Sequence, residues 1–261
     1  MFNTYVINLD RSKKRLDSFH KNFENTDIYK SITRFQAIDG KNISKNLLKS
    51  KTNFLARNFV PDSTIGCGIS HIELASYLYE NDKNDFALIL EDDVFPNQLK
   101  LKDKIIEIAK DPIYKDWDII RLFCQGFYPK GVKYDTFTSK FLSGSCAAYL
   151  ISKTGQKKMA DKMVKYHIDT QQNFSTNINL YRQNKYNLFN VDVRELGSDQ
   201  VHFDNEGHLT NASIGGVTMG YAMNFPVVKI PILNWKIAVW HIIALILIIF
   251  VLIFIKIIKM F

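Results

Sequence analysis

The chain has 261 residues, of which 46% are hydrophobic and 23% are charged, and its formal net charge is +8. This composition excludes wholesale disorder and is sufficient for one large domain with a sizeable core. The basic residues are dispersed and no nucleic-acid-reading motif accompanies them, so we expect no nucleic-acid partner. The three cysteines, Cys67, Cys124 and Cys146, form no CxxC pair, which argues against a zinc site and against a disulfide framework.

The first two-thirds of the chain alternates between apolar strand patterns and helical patterns. Asp10 is expected to cap a helix that carries Arg11 and Arg15, and another helix is expected to begin near Ile69 or Ser70. Strands are predicted at residues 6–9, 33–38, 86–90, 117–123, 146–151 and 187–191, and further helices at residues 101–109 and 154–164. Strands that alternate with helices predict an α/β domain with a mainly parallel sheet.

The C-terminal segment predicts a membrane-spanning helix. Residues 237–255 are almost entirely apolar, and about 19 such residues can cross a bilayer as a helix. Trp235 and Trp240 at one end and lysines at the other suit the two interfaces. A buried core helix is the alternative. Since residues 1–20 show no signal-peptide pattern, we expect a single-pass membrane protein with its large domain in the cytosol.

An acidic triplet, Glu91-Asp92-Asp93, directly follows the predicted buried strand at residues 86–90. In open α/β sheets, ligands bind at the carboxyl edge of the strands. Three adjacent carboxylates repel one another, so Mg²⁺ or Mn²⁺ would stabilise the arrangement. Because side chains alternate along a strand, Glu91 and Asp93 are expected to share a face. An acidic surface turn is an equally good interpretation of the triplet alone.

Two further segments suggest anion binding. Small residues around Gly66 and Gly68 lead into the predicted helix, where backbone N–H groups can approach a phosphate. Simple turn chemistry is the alternative there, and a hydrogen-bonded structural role is the alternative for His71. Arg11 and Arg15 could together clamp phosphates, although a solvated basic helix face is equally plausible.

Together these segments resemble glycosyltransferase family 25, the lipopolysaccharide-type and collagen-type galactosyl- and glucosyltransferases. Four blocks match in order over roughly residues 2 to 170. They are Val6-Ile7-Asn8-Leu9-Asp10-Arg11 with Arg15, Ile65-Gly66-Cys67-Gly68-Ile69-Ser70-His71, Leu90-Glu91-Asp92-Asp93-Val94, and Ala148-Tyr149-Leu150-Ile151-Ser152 with Gly155. Asp169 lies where the family carries an aspartate after the last of these blocks, and Gly197-Ser198-Asp199 matches a late block only weakly.

The resemblance implies a fold, a reaction and a set of roles. The fold is a GT-A-type nucleotide-sugar-binding α/β domain. The reaction transfers a hexose, galactose or glucose, from a nucleotide diphosphate sugar to a hydroxyl of a glycan, lipid-linked glycan or protein. Asp169, and second Asp199, would act as the base, and Glu91 and Asp93 would bind Mn²⁺ or Mg²⁺. The donor would contact Asn8, Arg11, Arg15, Ser70, His71 and Asp92.

The chain would then comprise a catalytic domain at residues 1–230, a linker at 231–236, a transmembrane helix at 237–255 and a basic tail at 256–261. Two rival classes are a degenerate sugar-binding membrane protein without enzymatic activity and a membrane-anchored metal-dependent phosphatase. The second rival lacks a clear nucleophilic motif.

Overall fold

The computed structural model describes residues 2–123, 145–183, 185–191, 213–214, 217–218, 226–230 and 235–258. The strands are β1 (Asn3–Asn8), β2 (Ile32–Gln36), β3 (Phe86–Glu91), β4 (Val94–Pro96), β5 (Ile119–Arg121), β6 (Ala148–Ser152), β7 (Leu180–Arg182), β8 (Phe189–Val191), β9 (Ser213–Ile214), β10 (Val217–Thr218), β11 (Pro226–Ile230) and β12 (Trp235–Ala238). The α-helices are α1 (Lys13–Phe23), α2 (Lys45–Lys51), α3 (Phe54–Phe59), α4 (Asp62–Asn81), α5 (Lys102–Lys110), α6 (Lys153–Ala160), α7 (Ile168–Phe174) and α8 (Val239–Ile258), and a short 3₁₀ helix covers Tyr29–Ser31.

Six strands form one mixed sheet in the order β2-β1-β3-β6-β5-β7. β1 is parallel to both β2 and β3, and β5 is parallel to β7. β6 lies between β3 and β5 and is antiparallel to both, which makes the sheet more mixed than the mainly parallel sheet that the alternating pattern predicted. Because β6 runs in reverse, its first residues meet the last residues of β3.

The sheet is covered by helices on both faces, which explains why β1 and β3 are apolar on both sides. Ile7 of β1 and Ile89 of β3 pack in one cluster with residues of α4, α6 and α7. Val6 and Leu90 point the other way and pack with residues of α1 and α5. Because β1 and β3 are packed between these two cores, the positions of their ends, where the candidate site lies, are fixed.

The glycine-containing segment lies inside a helix and is not a loop. α4 begins at Asp62, after Pro61, and not near Ile69 or Ser70 as the apolar spacing indicated. Proline before the helix and an aspartate in its first turn are typical of a helix start. A Cβ atom at Gly66 would lie 2.5 Å from the backbone nitrogen of Gly40, so Gly66 allows α4 to contact the backbone after β2.

The helix that follows β1 also begins later than predicted. α1 starts at Lys13, its N-cap residue is Ser12, and no side chain caps it by a hydrogen bond. Asp10 therefore does not cap the helix; its carboxylate pairs with Arg34 instead. Arg11 consequently precedes the helix, and only Arg15 lies on it.

The C-terminal prediction is wrong. Residues 235–238, which include the start of the predicted span, form β12 and pair antiparallel with β11. α8 follows, but none of the helices within the described residues has both the length and the apolar content that crossing a bilayer requires. The single-pass localisation and the contact with a membrane through a C-terminal helix are therefore not supported.

Candidate active site

The carboxyl edge of the central strands brings the first and third sequence blocks together. β1 ends at Asn8 and its parallel neighbour β3 ends at Glu91, so the acidic triplet begins beside Asn8. Asn8 Nδ2 donates a hydrogen bond to Asp92 Oδ2 at 2.6 Å. Arg34 Nε donates to Asn8 Oδ1 at 3.0 Å, which fixes the orientation of this buried amide. Asn8 and Asp92 therefore form one hydrogen-bonded unit, as expected for strand ends that share a sheet edge.

Arg15 reaches the same unit from α1. Its guanidinium pairs with the carboxylates of Asp92 and Asp93, and lies 3.2 Å from Asp93 Oδ2. Arg11 pairs instead with Asp39, and these charges, with hydrogen bonds to the carboxylate, outweigh the effect of burial and hold the pKa of Asp39 below its ordinary value. The two arginines that the sequence suggested as a phosphate clamp thus neutralise carboxylates at two separate places.

Asp93 is the most electrostatically unusual carboxyl group of the site. Burial, together with the nearby charge of Glu91, raises its pKa to about 8 despite the partial compensation from Arg15. Burial also raises the pKa of Asp92. Within the described residues, the buried Oδ1 atom of Asp93 accepts no hydrogen bond. A cation at Asp93 Oδ1 would satisfy this oxygen and remove the cost of a buried charge, so these residues fit a divalent metal.

Glu91 and His71 are in direct contact. His71 Nε2 lies 3.2 Å from Glu91 Oε1, and His71 Nδ1 lies 2.9 Å from the hydroxyl oxygen of Tyr149. His71 is fully buried on α4, whereas the side chain of Glu91 is 27% exposed and can reach a ligand in the cleft. His71 therefore contacts Glu91 from the protein interior and does not itself face the cleft.

Ser70 has a different environment from its neighbour His71. Its hydroxyl oxygen accepts a hydrogen bond from the Ile38 N–H at 2.8 Å and the hydroxyl donates to the Gly66 carbonyl at 2.7 Å. The side chain is buried and links α4 to the segment after β2. These contacts give Ser70 a structural role, and its suggested contact with a donor stays a prediction.

Asp169, the first-choice base, lies at the same sheet edge. Asp169 Oδ2 accepts a hydrogen bond from the Ser145 N–H at 3.0 Å, and Oδ1 accepts one from the Thr170 N–H at 2.6 Å. Two residues after Ser145, the Ala147 carbonyl accepts a hydrogen bond from the Glu91 N–H at 2.7 Å. One short segment before β6 thus contacts both the aspartate and the acidic triplet.

The surroundings of Asp169 favour the ionised form of its carboxyl group. Burial alone would raise its pKa, but the charges of His167 and Arg121 and the two backbone donors lower it below the ordinary value. Asp169 is therefore a carboxylate at neutral pH, which is the state that a proton acceptor requires. The second-choice base, Asp199, lies outside the described residues.

The sequence analysis missed Arg121. It is the last residue of β5, its side chain is fully buried, and its guanidinium donates to the Asp169 carbonyl at 2.9 Å and to Gln172 Oε1 at 3.1 Å. It connects the end of β5 to the helix that carries Asp169. The available signal was an arginine within the apolar pattern of residues 117–123, where an unpaired charge would be too costly to bury.

A cavity of about 670 Å³ lies at the ends of β1 and β2, and Leu9 in its wall directly follows Asn8, which donates to Asp92. Its volume is within the range of about 300–1,000 Å³ that is usual for small-molecule sites. Both apolar and polar side chains contribute to its wall. The lining residues are Leu9, Asp10, Arg11, Gln36, Ala37, Ile38, Asp39, Asn42, Ile43, Ser44 and Leu47.

The family to which the chain belongs shows that the protein is a glycosyltransferase. The chain belongs to glycosyltransferase family 25 (LPS biosynthesis protein), whose family model matches residues 1–224. The match covers all four blocks on which the resemblance was based and both candidate bases. No curated protein matches the chain.

Several solved structures are similar to this one at low sequence identity. A197 from STIV is 13% identical over 72% of this chain and 83% of its own, with a TM-score of 0.40. The galactosyltransferase LgtC, solved in complex with donor and acceptor sugar analogs, is 10% identical over 70% of this chain and 73% of its own, with a TM-score of 0.34. The glycosyltransferase GlyE of Streptococcus pneumoniae TIGR4 is 9% identical over 70% of this chain and 45% of its own, with a TM-score of 0.36.

Proposed function

We propose that the protein transfers a hexose, galactose or glucose, from a nucleotide diphosphate sugar to a hydroxyl group of a glycan, lipid-linked glycan or protein, and that it uses Mn²⁺ or Mg²⁺. The observation that carries this proposal is the position of Asp93. Its buried carboxyl group has an oxygen without a hydrogen-bond partner among the described residues, and it lies at the carboxyl edge of the sheet. Family membership supplies the reaction class.

The donor's nucleoside would occupy the cavity at the ends of β1 and β2. Its apolar side chains, among them Ile43 and Leu47, can pack against a base, and polar groups such as Asn42 can hydrogen-bond to it. Asn8 connects this cavity to the triplet. It is the last residue of β1, it precedes Leu9 in the cavity wall, and its side chain donates to Asp92. A donor that extends from the cavity past Asn8 would bring its diphosphate to Asp93.

Asp93 and Glu91 would hold the metal. When bound, the ion would neutralise the charge that develops on the diphosphate leaving group. The chain's own contribution is to reduce the cost of ionising these carboxyl groups, because Arg15 offsets part of the repulsion between Asp92 and Asp93. His71 restricts the position of the Glu91 carboxylate through their contact at 3.2 Å.

Asp169 would accept the proton of the acceptor hydroxyl. For a transfer that inverts the anomeric centre, as the family resemblance implies, one carboxylate must remove that proton as the new bond forms. The link from Asp169 through Ser145 and Ala147 to Glu91 supports this role, since it holds the base at the edge where the donor would lie. Asp199 is the second choice.

A screen of nucleotide diphosphate sugars by thermal shift, each with and without Mn²⁺, tests the donor assignment. We expect one nucleotide to raise the melting temperature with Mn²⁺ present and to do so much less in chelator, because metal and diphosphate bind together. A melting temperature that no nucleotide sugar changes, in either condition, contradicts the proposed donor class. Nucleoside monophosphates serve as controls that lack the diphosphate.

A further inference from the structure

A second group of possible metal ligands lies beside the acidic triplet and includes a cysteine and a histidine. Cys67, His71 and Glu91 each offer one ligand atom, and the three atoms lie within 4.8 Å of one another. Cys67 and His71 are four residues apart on α4, so they share one helix face. Glu91 is the last residue of β3. Two rigid elements thus hold three metal-binding groups together.

The chemistry of this donor set differs from that of the proposed sugar-transfer metal. Mg²⁺ and Mn²⁺ prefer oxygen ligands, whereas a set of one sulfur, one imidazole nitrogen and one carboxylate oxygen is typical of Zn²⁺. Two ligands that are each about 2.0–2.1 Å from a tetrahedral zinc ion lie roughly 3.3 Å from each other. His71 Nε2 and Glu91 Oε1 are already 3.2 Å apart. This pair is therefore already at the separation that two zinc ligands need.

The environment of His71 is suited to a metal ligand. Its Nδ1 atom lies 2.9 Å from the Tyr149 hydroxyl, and both residues are fully buried. Metal-binding histidines are usually oriented in this way by a partner on the second ring nitrogen. In the tautomer whose Nδ1–H donates to Tyr149, Nε2 has a lone pair that faces Glu91. A cation between Nε2 and the Glu91 carboxylate could bind to both.

We propose that Cys67, His71 and Glu91 form a Zn²⁺ site, with the fourth position open to water or an added ligand. The site is separate from Asp93 but shares Glu91 with the acidic triplet. The lack of a CxxC pair does not exclude it, because the fold brings the cysteine, the histidine and the carboxylate together from α4 and β3. This inference does not depend on which sugar is transferred or on whether transfer occurs.

The test uses the full chain after treatment with chelator. Equilibrium dialysis against Zn²⁺ should give one zinc ion per chain by elemental analysis. Titration with Co²⁺, a spectroscopic substitute for Zn²⁺, should give the near-ultraviolet charge-transfer band of a thiolate bound to cobalt. A wild-type protein that binds no stoichiometric zinc and gives no such band overturns the proposal.

Variants identify the ligands. Cys67→Ser should abolish the charge-transfer band and weaken zinc binding by more than about 100-fold, because even the loss of an outer-shell partner typically costs 10–100-fold. Tyr149→Phe should keep the band and weaken zinc binding by about 10–100-fold. Cys146→Ser is the matched control, since Cys146 is the other cysteine within the described residues and its thiol donates to Gln172 instead. A band that survives in Cys67→Ser and disappears in Cys146→Ser contradicts the assignment.

Asp93→Asn separates this proposal from the proposed function. It removes one of the two carboxylates assigned to the transfer metal and leaves Cys67, His71 and Glu91 in place, so the cobalt band should be unchanged. Loss of the band in Asp93→Asn, with the fold intact by circular dichroism, would show that the bound ion is held by the acidic triplet and would overturn a separate zinc site.

Discussion

The backbone N–H of Ser145 donates to the carboxylate of Asp169 across 3.0 Å, which ties the proposed base to the sheet edge that carries the acidic triplet. Ser145 has a φ of 102°, in the left-handed region that residues other than glycine rarely adopt. Such a conformation costs on the order of 1–3 kcal/mol and is found most often beside functional groups. The geometry at Ser145 thus agrees with a catalytic role for the aspartate that it holds.

Replacing the proposed base should lower turnover without affecting donor binding. Asp169→Asn keeps an oxygen that can accept the hydrogen bond from Ser145, loses the acceptor for the Thr170 N–H, and cannot take up a proton. General-base catalysis contributes about 10²–10⁴-fold, so we expect kcat to fall by that order while the donor dissociation constant stays unchanged. Steady-state kinetics and calorimetric donor titration measure the two quantities.

Asp161→Asn is the control for this substitution, since Asp161 is an exposed aspartate just after α6. It should leave kcat unchanged. If Asp169→Asn turns over normally at saturating donor but binds donor poorly, Asp169 contacts the donor and is not the base.

The raised pKa of Asp93 makes the stability of the metal-free protein depend on pH. Its folded-state pKa of about 8 exceeds the ordinary value of 3.8, so the folded state binds more protons than the unfolded chain between these values. Stability must therefore fall as pH rises through this window. Asp92, whose pKa burial also raises, adds to the slope in the same direction, so Asp93→Asn reduces the slope without removing it. Asp169, whose pKa is lowered, titrates below the window and does not contribute.

Urea denaturation in the presence of chelator, between about pH 5 and pH 8.5, measures this slope. Asp93→Asn should reduce it and should be more stable than the wild type at the alkaline end, because no buried charge then forms at this position. Mn²⁺ should stabilise the wild type most at the alkaline end and should have little effect on Asp93→Asn. Equal slopes for the two proteins would show that Asp93 ionises normally.

The glycine contact between α4 and the segment after β2 predicts a loss of stability. A Cβ at Gly66 would lie 2.5 Å from the Gly40 nitrogen and 2.6 Å from the Ile38 carbonyl oxygen, and backbone atoms cannot easily move away. We expect Gly66→Ala to destabilise the protein by about 1–3 kcal/mol, the usual cost of overpacking. Gly68→Ala is the comparison, because the three atoms nearest to its Cβ would all belong to the Val164 side chain, the first at 2.8 Å.

Chemical denaturation of both variants gives the two free energies of unfolding. We expect Gly66→Ala to have the smaller free energy of unfolding of the two variants. The opposite order would mean that the backbone contact between Gly66 and Gly40 is looser than the structure indicates.

Filling the cavity should prevent donor binding. Ile43→Trp places a large ring in the space at the ends of β1 and β2. If a nucleoside occupies that space, the donor KM should rise by about tenfold or more, which corresponds to about 1.4 kcal/mol of lost binding. Leu99→Trp, at an exposed apolar position, is the control for the added surface aromatic. An unchanged KM in Ile43→Trp would place the donor elsewhere.

Short apolar patterns predicted the sheet well where both faces are buried. The run at residues 86–90 corresponds to β3, because helices cover both of its faces. The reversed direction of β6 could not be read from its sequence, since an apolar strand has the same pattern in either direction. The start of α4 was missed because Gly66 and Gly68 indicate a loop locally, whereas in the fold they allow close packing.

The candidate site was predictable in its composition but not in its pairings. The acidic triplet and Asn8 were identified from the sequence, and β1 and β3 do bring them together. Arg15 pairs with Asp92 and Asp93 because α1 packs against the sheet, and His71 contacts Glu91 because α4 does so. Neither packing arrangement could be inferred from the apolar patterns of the strands. The C-terminal span was wrong because apolar composition alone does not show that residues 235–238 form a strand.

If Asp93 holds a metal that assists hexosyl transfer, the release of nucleoside diphosphate must depend on both the metal and Asp93. Release of nucleoside diphosphate from the donor identified by thermal shift should be followed with saturating Mn²⁺, for the wild type and for Asp93→Asn. We expect metal-dependent release by the wild type, and a loss of about 100-fold or more in the folded variant, since metal-ion stabilisation of developing charge is worth several kcal/mol. Undiminished release by Asp93→Asn, or release by the wild type that is equally fast in chelator, would contradict the account.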